Sequence, residues 1–334
     1  MKNIRIKSGT YKIRGKDVEL AGMVFPMVEG FKVGAQGGYV TVDGTAVAGF
    51  PDRNIKIKID GEADYELAGN AKITKREESD EETIERIRER FDILEDMTRA
   101  AKKGDVRAMI VTGPPGVGKS YGVEKVLGKH DLIATLGERK PKYQVVKGAM
   151  SAIGLYCKLY NYADKDNVLV FDDCDSVLLD DLSLNILKAA LDSKKSRTIH
   201  WNTDSFKLRN EGVPDSFEFK GSAIFITNIK FDNVKSKKLR DHLEALESRC
   251  HYIDLTIDTE REKMLRIKQI VQDGMLTSHQ LTPEVHQAVV DFIDINKKKL
   301  RELSLRTVLK VADLARAFPD KWEAMAENTV LKRA

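Results

Sequence analysis

The run Gly113-Pro114-Pro115-Gly116-Val117-Gly118-Lys119-Ser120 sets a lysine and a hydroxyl directly behind a glycine-rich turn, in the order glycine, four residues, Gly-Lys-Ser. Small and rigid residues let successive backbone N–H groups turn inward around a triphosphate. Lys119 then reaches the outer phosphates and the Ser120 hydroxyl joins the shell of a Mg²⁺ ion. The apolar stretch Ala108-Met109-Ile110-Val111 precedes the turn, and Tyr121 to Leu127 follow it as the start of a helix. The positive end of that helix faces the same anion. Strand, loop and helix in this order separate a phosphate-binding loop from a chance glycine turn.

A second element is Val168-Leu169-Val170-Phe171-Asp172-Asp173, an apolar strand that delivers two carboxylates. At the mouth of a nucleotide site, Asp172 orients Mg²⁺ and its waters and Asp173 polarises an attacking water. An acidic pair after a strand also suits a helix cap; the loop at Lys119 favours the chemical reading. Phosphoryl transfer is mostly positioning and charge stabilisation, so further polar and cationic groups should converge on the outer phosphate. Asn228 ends the apolar run Ala223-Ile224-Phe225-Ile226-Thr227. Arg249 sits in Leu246-Glu247-Ser248-Arg249-Cys250, and Arg306 opens a helix after Leu303-Ser304-Leu305.

The elements that must hold these residues follow from patterning. The 334 residues suffice for two ordinary cores, and the net charge of +4 permits a nucleic-acid partner without requiring one. Three widely spaced cysteines, Cys157, Cys174 and Cys250, form no metal or disulfide framework and read as reduced thiols. The N-terminus develops no apolar signal core and no stretch approaches membrane-spanning length, so a cytoplasmic protein without a membrane partner is expected.

Residues 1–72 read as a β-rich domain: apolar and polar residues alternate in Tyr39–Val42 and Ile55–Ile59, each followed by an Asp-Gly turn, Asp43-Gly44 and Asp60-Gly61. Lys56 and Lys58, with Arg5, Lys7, Lys12, Arg14 and Lys16, make its polar faces basic. Such a face suits either a phosphate backbone or a solvated, lysine-guarded sheet edge. Residues 73–105 form a charged linker, beginning Lys75-Arg76-Glu77, and a packing helix. Ser79 and Glu82 have capping-box spacing, Ile84, Ile87, Phe91, Leu94 and Ala101 share a face, and Gly104 ends the pattern.

From 106 to 258 helices alternate with apolar strands at Ala108–Thr112, Tyr143–Val146, Val168–Phe171, Ala223–Thr227 and Tyr252–Leu255, which predicts a five-stranded parallel sheet covered on both faces. Residues 259–334 are helical, with Pro283 at a first helical position, Ser304 as a cap and Phe318-Pro319 as a break. Thr198-Ile199-His200-Trp201 and Ser216-Phe217-Glu218-Phe219 can pair as a hairpin, with Trp201 either on it or in the core.

The order of these motifs, phosphate loop, Asp172-Asp173, Asn228, Ser248-Arg249-Cys250 and Arg306, resembles that of AAA+ ATPases over residues 107–334. The resemblance implies an AAA+ P-loop core with a C-terminal helical lid, binding ATP and Mg²⁺ through Gly113 to Tyr121, Ser120, Asp172 and Arg306. Asn228 then corresponds to sensor one and Arg306 to sensor two. Arg249 corresponds to an arginine finger that completes a neighbouring subunit's site, with Arg240 as its rival, and self-association into a ring, with a hexamer as the expected form, follows. The family usually has glutamate where Asp173 stands; the shorter side chain bears on hydrolysis rate more than on binding. Lys147-Gly148-Ala149-Met150-Ser151 and the stretch from Phe171 to Leu178 are similar to AAA+ ATPases of tailed phages. By position, Lys147 to Met150 either face a central pore or form an ordinary strand-to-helix turn.

The expected function is ATP hydrolysis at subunit interfaces, driving the loading or remodelling of a macromolecule. DNA or a replication or recombination protein is the leading partner, and a protein-remodelling chaperone is the alternative. A GTPase switch or small-molecule kinase shares the phosphate loop. Against GTP, Asn228-Ile229-Lys230-Phe231-Asp232 separates the asparagine from the lysine, and the stretch after Asp172 lacks a switch glycine.

Overall fold

The computed structural model describes residues 2–13, 15–35, 37–47, 49–50, 53–69, 71, 78–136, 141–229, 231 and 234–333, and only the backbone of residues 16 and 129–136. Arg14, the expected boundary at residues 72–73, the linker start Lys75-Arg76-Glu77, and Lys230 and Asp232 lie outside the described residues. The chain divides into two compact units, Met1–Thr83 and Ile84–Ala334.

The first unit is β-rich and antiparallel. Its strands are β1 (Asn3–Ile6), β2 (Thr10–Ile13), β3 (Lys16–Glu19), β4 (Val24–Gly34), β5 (Gly37–Asp43), β6 (Asn54–Lys58) and β7 (Tyr65–Gly69), in the sheet order β3-β2-β6-β5-β4-β1-β7. The period-two pattern of β6 puts Ile55 and Ile57 inward and leaves Lys56 and Lys58 exposed. Ile4, Ile6, Phe25, Val40 and Val42 complete that core. Two of the basic residues share one acidic partner: Glu66 of β7 pairs with Arg5 at 3.5 Å and with Lys7 at 3.2 Å. Lys56 lies over the Tyr39 ring, 4.4 Å from its centroid.

The second unit carries the parallel sheet. It contains α1 (Asp80–Lys102, its first turn lying in the first unit), β8 (Ala108–Thr112), α2 (Lys119–Leu136), β9 (Tyr143–Lys147), α3 (Ala152–Asn161), β10 (Val168–Asp172), α4 (Ser176–Leu179) and α5 (Asp181–Ala190). Next come β11 (Thr198–His200), α6 (Phe206–Glu211), β12 (Ser216–Glu218), β13 (Ser222–Thr227), α7 (Lys237–Glu247) and β14 (His251–Asp254). Four helices close the chain: α8 (Glu260–Gln272), α9 (Pro283–Asn296), α10 (Leu305–Ala317) and α11 (Trp322–Val330).

The sheet order is β14-β8-β13-β10-β9, all neighbours parallel. Because side chains alternate across a strand, two separate cores form. Ala108, Ile110, Leu169, Phe171 and Phe225 face α3, α5 and α7. Met109, Val111, Val170, Ile224 and Ile226 face Phe91 and Leu94 of α1 and Val123 of α2. Phe171 and Phe225 stack at 5.1 Å across neighbouring strands. A third core, with Val289, Ile293, Val308, Val311 and Trp322, holds the last helices together.

Local chemistry sets the helix starts. Ser79 and Glu82 form the reciprocal capping box, Glu82 N–H donating to Ser79 Oγ at 3.2 Å and Ser79 N–H to Glu82 Oε2 at 3.1 Å. Ser304 caps α10 by accepting from Thr307 N–H at 3.4 Å. The expected hairpin is present as β11 and β12, paired from Thr198–Glu218 to His200–Ser216. Trp201 packs on the Tyr156 ring at 5.5 Å, half-buried beside the core, while Phe206 of α6, between the two strands, is 73% exposed.

Candidate nucleotide site

The glycine-rich loop Gly113–Gly118 leaves the C-terminal end of β8 between β14 and β13, where a parallel sheet opens its crevice to ligands. Its glycines are there for geometry. Gly116 has φ +70, and a side chain there would place Cβ 2.6 Å from Ser304 Cβ. That approach lets Leu305 N–H donate to Gly116 O at 2.9 Å, tying α10 to the loop. At Gly113, φ is +148 and a Cβ would meet the Leu255 backbone at 3.0 Å.

Lys119 begins α2 and is 6% exposed. Its ammonium donates to Gly113 O at 2.7 Å, Pro114 O at 3.0 Å and Asn228 Oδ1 at 2.8 Å. Burial pulls its pKa down to about 8, partly opposed by Asp173 and reinforced by Arg306. Asn228 in turn donates from Nδ2 to Asp173 Oδ1 at 2.9 Å. Thus the loop, the end of β10 and the end of β13 are joined through one chain of polar contacts.

Asp173 takes φ +49, an uncommon conformation for a residue with a side chain, and its N–H donates to Ile226 O at 3.0 Å. Backbone held in this region costs about 1–3 kcal/mol and concentrates at functional sites. Here it turns the carboxylate out of the strand direction and onto Asn228. Beside it, Ser120 Oγ donates to Asp172 Oδ1 at 2.8 Å. A hydroxyl and a buried carboxylate side by side are hard oxygen ligands suited to Mg²⁺, which keeps most of its remaining shell as water and phosphate oxygen.

Two further features were not expected from the sequence. Lys147, at the end of β9, pairs with Asp172 Oδ2 at 3.2 Å and Glu124 Oε1 at 3.1 Å. Its ammonium therefore sits against the carboxylate of the site, and these ion pairs raise its pKa. In addition, Arg266 and Gln269, three apart on α8, are both buried beside Phe91. Their spacing, which places them on one helix face, was the available signal.

A cavity of about 430 Å³ runs from the loop past these residues, lined among others by Gly116, Gly118, Lys119, Ser120, Tyr121, Asp172, Asp173, Asn228 and Arg306. Tyr121 is 64% exposed at its lip. Arg249 and Arg240 do not line it. Arg249 folds back on its own helix, donating to Ala245 O and, at 3.5 Å, to Ser248 Oγ. Arg240 donates to Val234 O from Nε at 3.2 Å and Nη2 at 2.8 Å.

Fold and site together define a parallel α/β protein with a glycine-rich loop at the carboxyl ends of its strands. The chain belongs to the family of the "Uncharacterized 36.7 kDa protein in nrdC-mobD intergenic region" of Enterobacteria phage T4, with 34% identity over 341 residues, 98% of this chain and 97% of that protein. No protein-family model matches the chain.

Among solved structures it is similar to a replication initiator DnaA bound to AMPPCP and single-stranded DNA, with a TM-score of 0.39, 12% identity, and 71% of this chain and 63% of that chain covered. It is also similar to domain III of the Thermotoga maritima replication initiation protein DnaA, with a TM-score of 0.41, 12% identity, and 72% and 92% covered. A third is a DNA replication initiation factor, with a TM-score of 0.36, 13% identity, and 73% and 63% covered. The chain thus spans less than two thirds of the length of the first and third of these. No helix among the described residues is long and apolar enough to cross a membrane.

Proposed function

We propose that this protein is a Mg²⁺-dependent ATPase of the AAA+ class, with residues 106–258 as its catalytic core and 259–334 as a helical lid. It works as a cytoplasmic homo-oligomer, a hexamer in its ring form, that loads or remodels a macromolecule. The observation that carries this reading is the polar chain from Lys119 through Asn228 to Asp173, at 2.8 and 2.9 Å, beside the Ser120–Asp172 pair.

In this reading the loop N–H groups and Lys119 neutralise the outer phosphates, and Arg306 adds a cation from α10. Ser120 and Asp172 hold Mg²⁺, which when bound draws charge from the phosphate oxygens. Asn228 and Asp173 orient the attacking water, and Asp173 accepts its proton. The network orients Asp173 through Asn228, which offsets the reach lost with a shorter acid. Lys147 must give up part of its hold on Asp172 as the site fills.

Asp173→Asn is expected to keep ATP affinity within about twofold and to lower kcat about 1,000-fold, as loss of a general base does. Steady-state hydrolysis and titration calorimetry check both halves. An Asp173→Asn protein that turns over normally would contradict the assignment, and GTP turnover equal to that of ATP would favour the switch or kinase reading.

Nucleic acid is the proposed substrate class, supported by exposed Lys56 and Lys58 on one strand and by Phe206 standing out from the hairpin insertion. DNA should therefore stimulate ATP turnover, and the effect should fade with added salt. Indifference to DNA, with stimulation by a protein substrate, would favour the remodelling chaperone.

A further inference from the structure

The last helices carry a charged face that the nucleotide site does not use. Between α9 and α10 the chain reads Lys297-Lys298-Lys299-Leu300-Arg301, and after α11 it reads Leu331-Lys332-Arg333. An antiparallel bridge pairs Leu300 with Leu331, held by Arg301 N–H donating to Val330 O and Lys332 N–H to Lys299 O, both at 2.9 Å. Two segments far apart in sequence are thereby joined side by side, and between them they carry six cations and no acid.

The bridge also sorts the side chains, because neighbours along an extended segment point to opposite sides. Leu300 is 3% exposed and packs with Leu331 into the third core. Lys298, Lys299, Arg301, Lys332 and Arg333 are exposed. The register sets Lys299 opposite Lys332, an arrangement in which like charges repel. The protein supplies no anion to relieve it. Lys297 pairs with Asp294 at 2.8 Å, and that carboxylate already holds Lys268 at 2.7 Å. The five exposed cations form no ion pair among the described residues. Glu302, next in the chain, has its Oε1 buried and turned toward Gly116 of the glycine-rich loop.

A row of solvated cations with its apolar residues turned inward fits a phosphodiester backbone. That polymer carries a charge at every nucleotide, and neutralising it releases condensed counterions, which supplies affinity without an apolar pocket. A protein partner would need an apolar centre on which to anchor, and the buried Leu300 offers none. The segment also leads straight to the nucleotide site. Just beyond Arg301, Ser304 caps α10, Leu305 N–H donates to Gly116 O at 2.9 Å, and Arg306 lines the cavity.

We propose that Lys298, Lys299, Arg301, Lys332 and Arg333 dock the phosphate backbone of a nucleic acid, and that residues 301–306 carry the effect of docking to the ATP site. This rests on the nucleic-acid reading given above and assigns it a surface separate from Lys56 and Lys58.

The test is anisotropy of a labelled oligonucleotide of mixed sequence, titrated with the full chain over a range of salt. Each phosphate contact removed should lower the slope of log affinity against log salt by about one. Lys299→Gln with Lys332→Gln should therefore flatten the slope by about two and weaken binding by about tenfold or more, whereas Lys299→Arg with Lys332→Arg should bind like wild type. The glutamine variant loses a repulsion, so its melting temperature should not fall. Its basal ATP turnover should stay within about twofold, and half-maximal stimulation should need about tenfold more oligonucleotide.

If the wild-type protein binds the oligonucleotide and the glutamine variant keeps the same affinity and slope, the proposal is overturned while the nucleic-acid reading stands. A wild-type protein that binds no oligonucleotide removes both. Weaker binding with an unchanged requirement for stimulation overturns the link to the ATP site. A folded variant that loses self-assembly and basal turnover would make this face a contact between copies and overturn the proposal. So would polyglutamate that competes as well as unlabelled oligonucleotide of equal charge, which would give the face to an acidic polypeptide.

Discussion

Lys119→Met is expected to weaken ATP binding about 100-fold, the loss of a charge-assisted contact to phosphate, and at the same time to raise the melting temperature of the nucleotide-free protein. The two effects share one cause. Lys119 is 6% exposed, and burial holds its pKa at about 8 against an ordinary value of 10.5. The folded state therefore penalises the charged amine, by an amount on the order of 3 kcal/mol below pH 8. Methionine fills similar space without that penalty, while losing the bonds to Gly113, Pro114 and Asn228; a net gain of about 1–2 kcal/mol remains.

The sign with pH follows. Between about pH 8 and pH 10.5 the unfolded chain holds a proton on Lys119 that the folded chain has released, so this residue makes wild-type stability rise across that window. Thermal scans at pH 7 and pH 9.5 should show the gap between variant and wild type closing at the higher value. Triphosphate binding acts in reverse by favouring the charged amine. Above pH 8 ATP uptake should draw a proton from solvent, and affinity should fall about tenfold from pH 7 to pH 9. Calorimetry in two buffers of different ionisation enthalpy reads that proton directly. A variant that binds ATP as well as wild type would remove Lys119 from the site.

How much of this was readable in the sequence depends on how local the cause is. Strands β8, β10 and β13 are buried on both faces and appear as unbroken apolar runs, so their places could be read within a residue or so. The five-stranded parallel sheet and the β-rich first unit followed from the same patterning, and the hairpin β11–β12 from paired apolar runs. The glycine-rich turn between β8 and α2 and the place of Asp172-Asp173 at the end of β10 were legible because short-range geometry constrains them. The partners of the site were less so. Lys147 read as part of either a pore-facing loop or an ordinary strand-to-helix turn, and its ion pair with Asp172 joins two strand ends 25 positions apart, a contact no periodicity encodes. Arg266 and Gln269 lie in a stretch whose sequence indicated helices and nothing more. Their burial depends on α1, whose Phe91 arrives from 175 positions upstream. The left-handed turn at Asp173 was equally hidden, since aspartate gives no sign of positive φ in a strand-like run.

Arg249→Ala is expected to bind ATP within about twofold of wild type and to lose about 1,000-fold in kcat, the scale on which a cation supplied to the transferring phosphoryl group acts. The argument begins from what Arg249 does in a single chain. It follows α7 and donates to carbonyl and hydroxyl oxygens of that helix's own last turn, where the helix dipole already favours a cation. It makes no ion pair with Glu247 or Asp254 among the described residues, and it stands outside the cavity that holds Lys119 and Arg306.

A guanidinium bonded only within the last turn of its own helix can exchange those bonds for a neighbour's phosphates. Subunit mixing distinguishes that role from a structural one. Arg249→Ala keeps its own water-orienting Asp173, and Asp173→Asn keeps its own Arg249, so each variant is nearly inactive alone. In a random equal mixture, a site combining an Arg249→Ala core with an Asp173→Asn neighbour is complete, and such pairs make up about a quarter of all head-to-tail interfaces. Mixed oligomers should therefore recover about a quarter of wild-type turnover. Failure to recover, with both proteins folded and assembled, would place Arg249 in its own subunit's structure. Recovery with Arg240→Ala in its place would assign the donated charge to the earlier arginine, whose guanidinium is likewise bonded to a carbonyl of its own chain, Val234 O, at 2.8 Å.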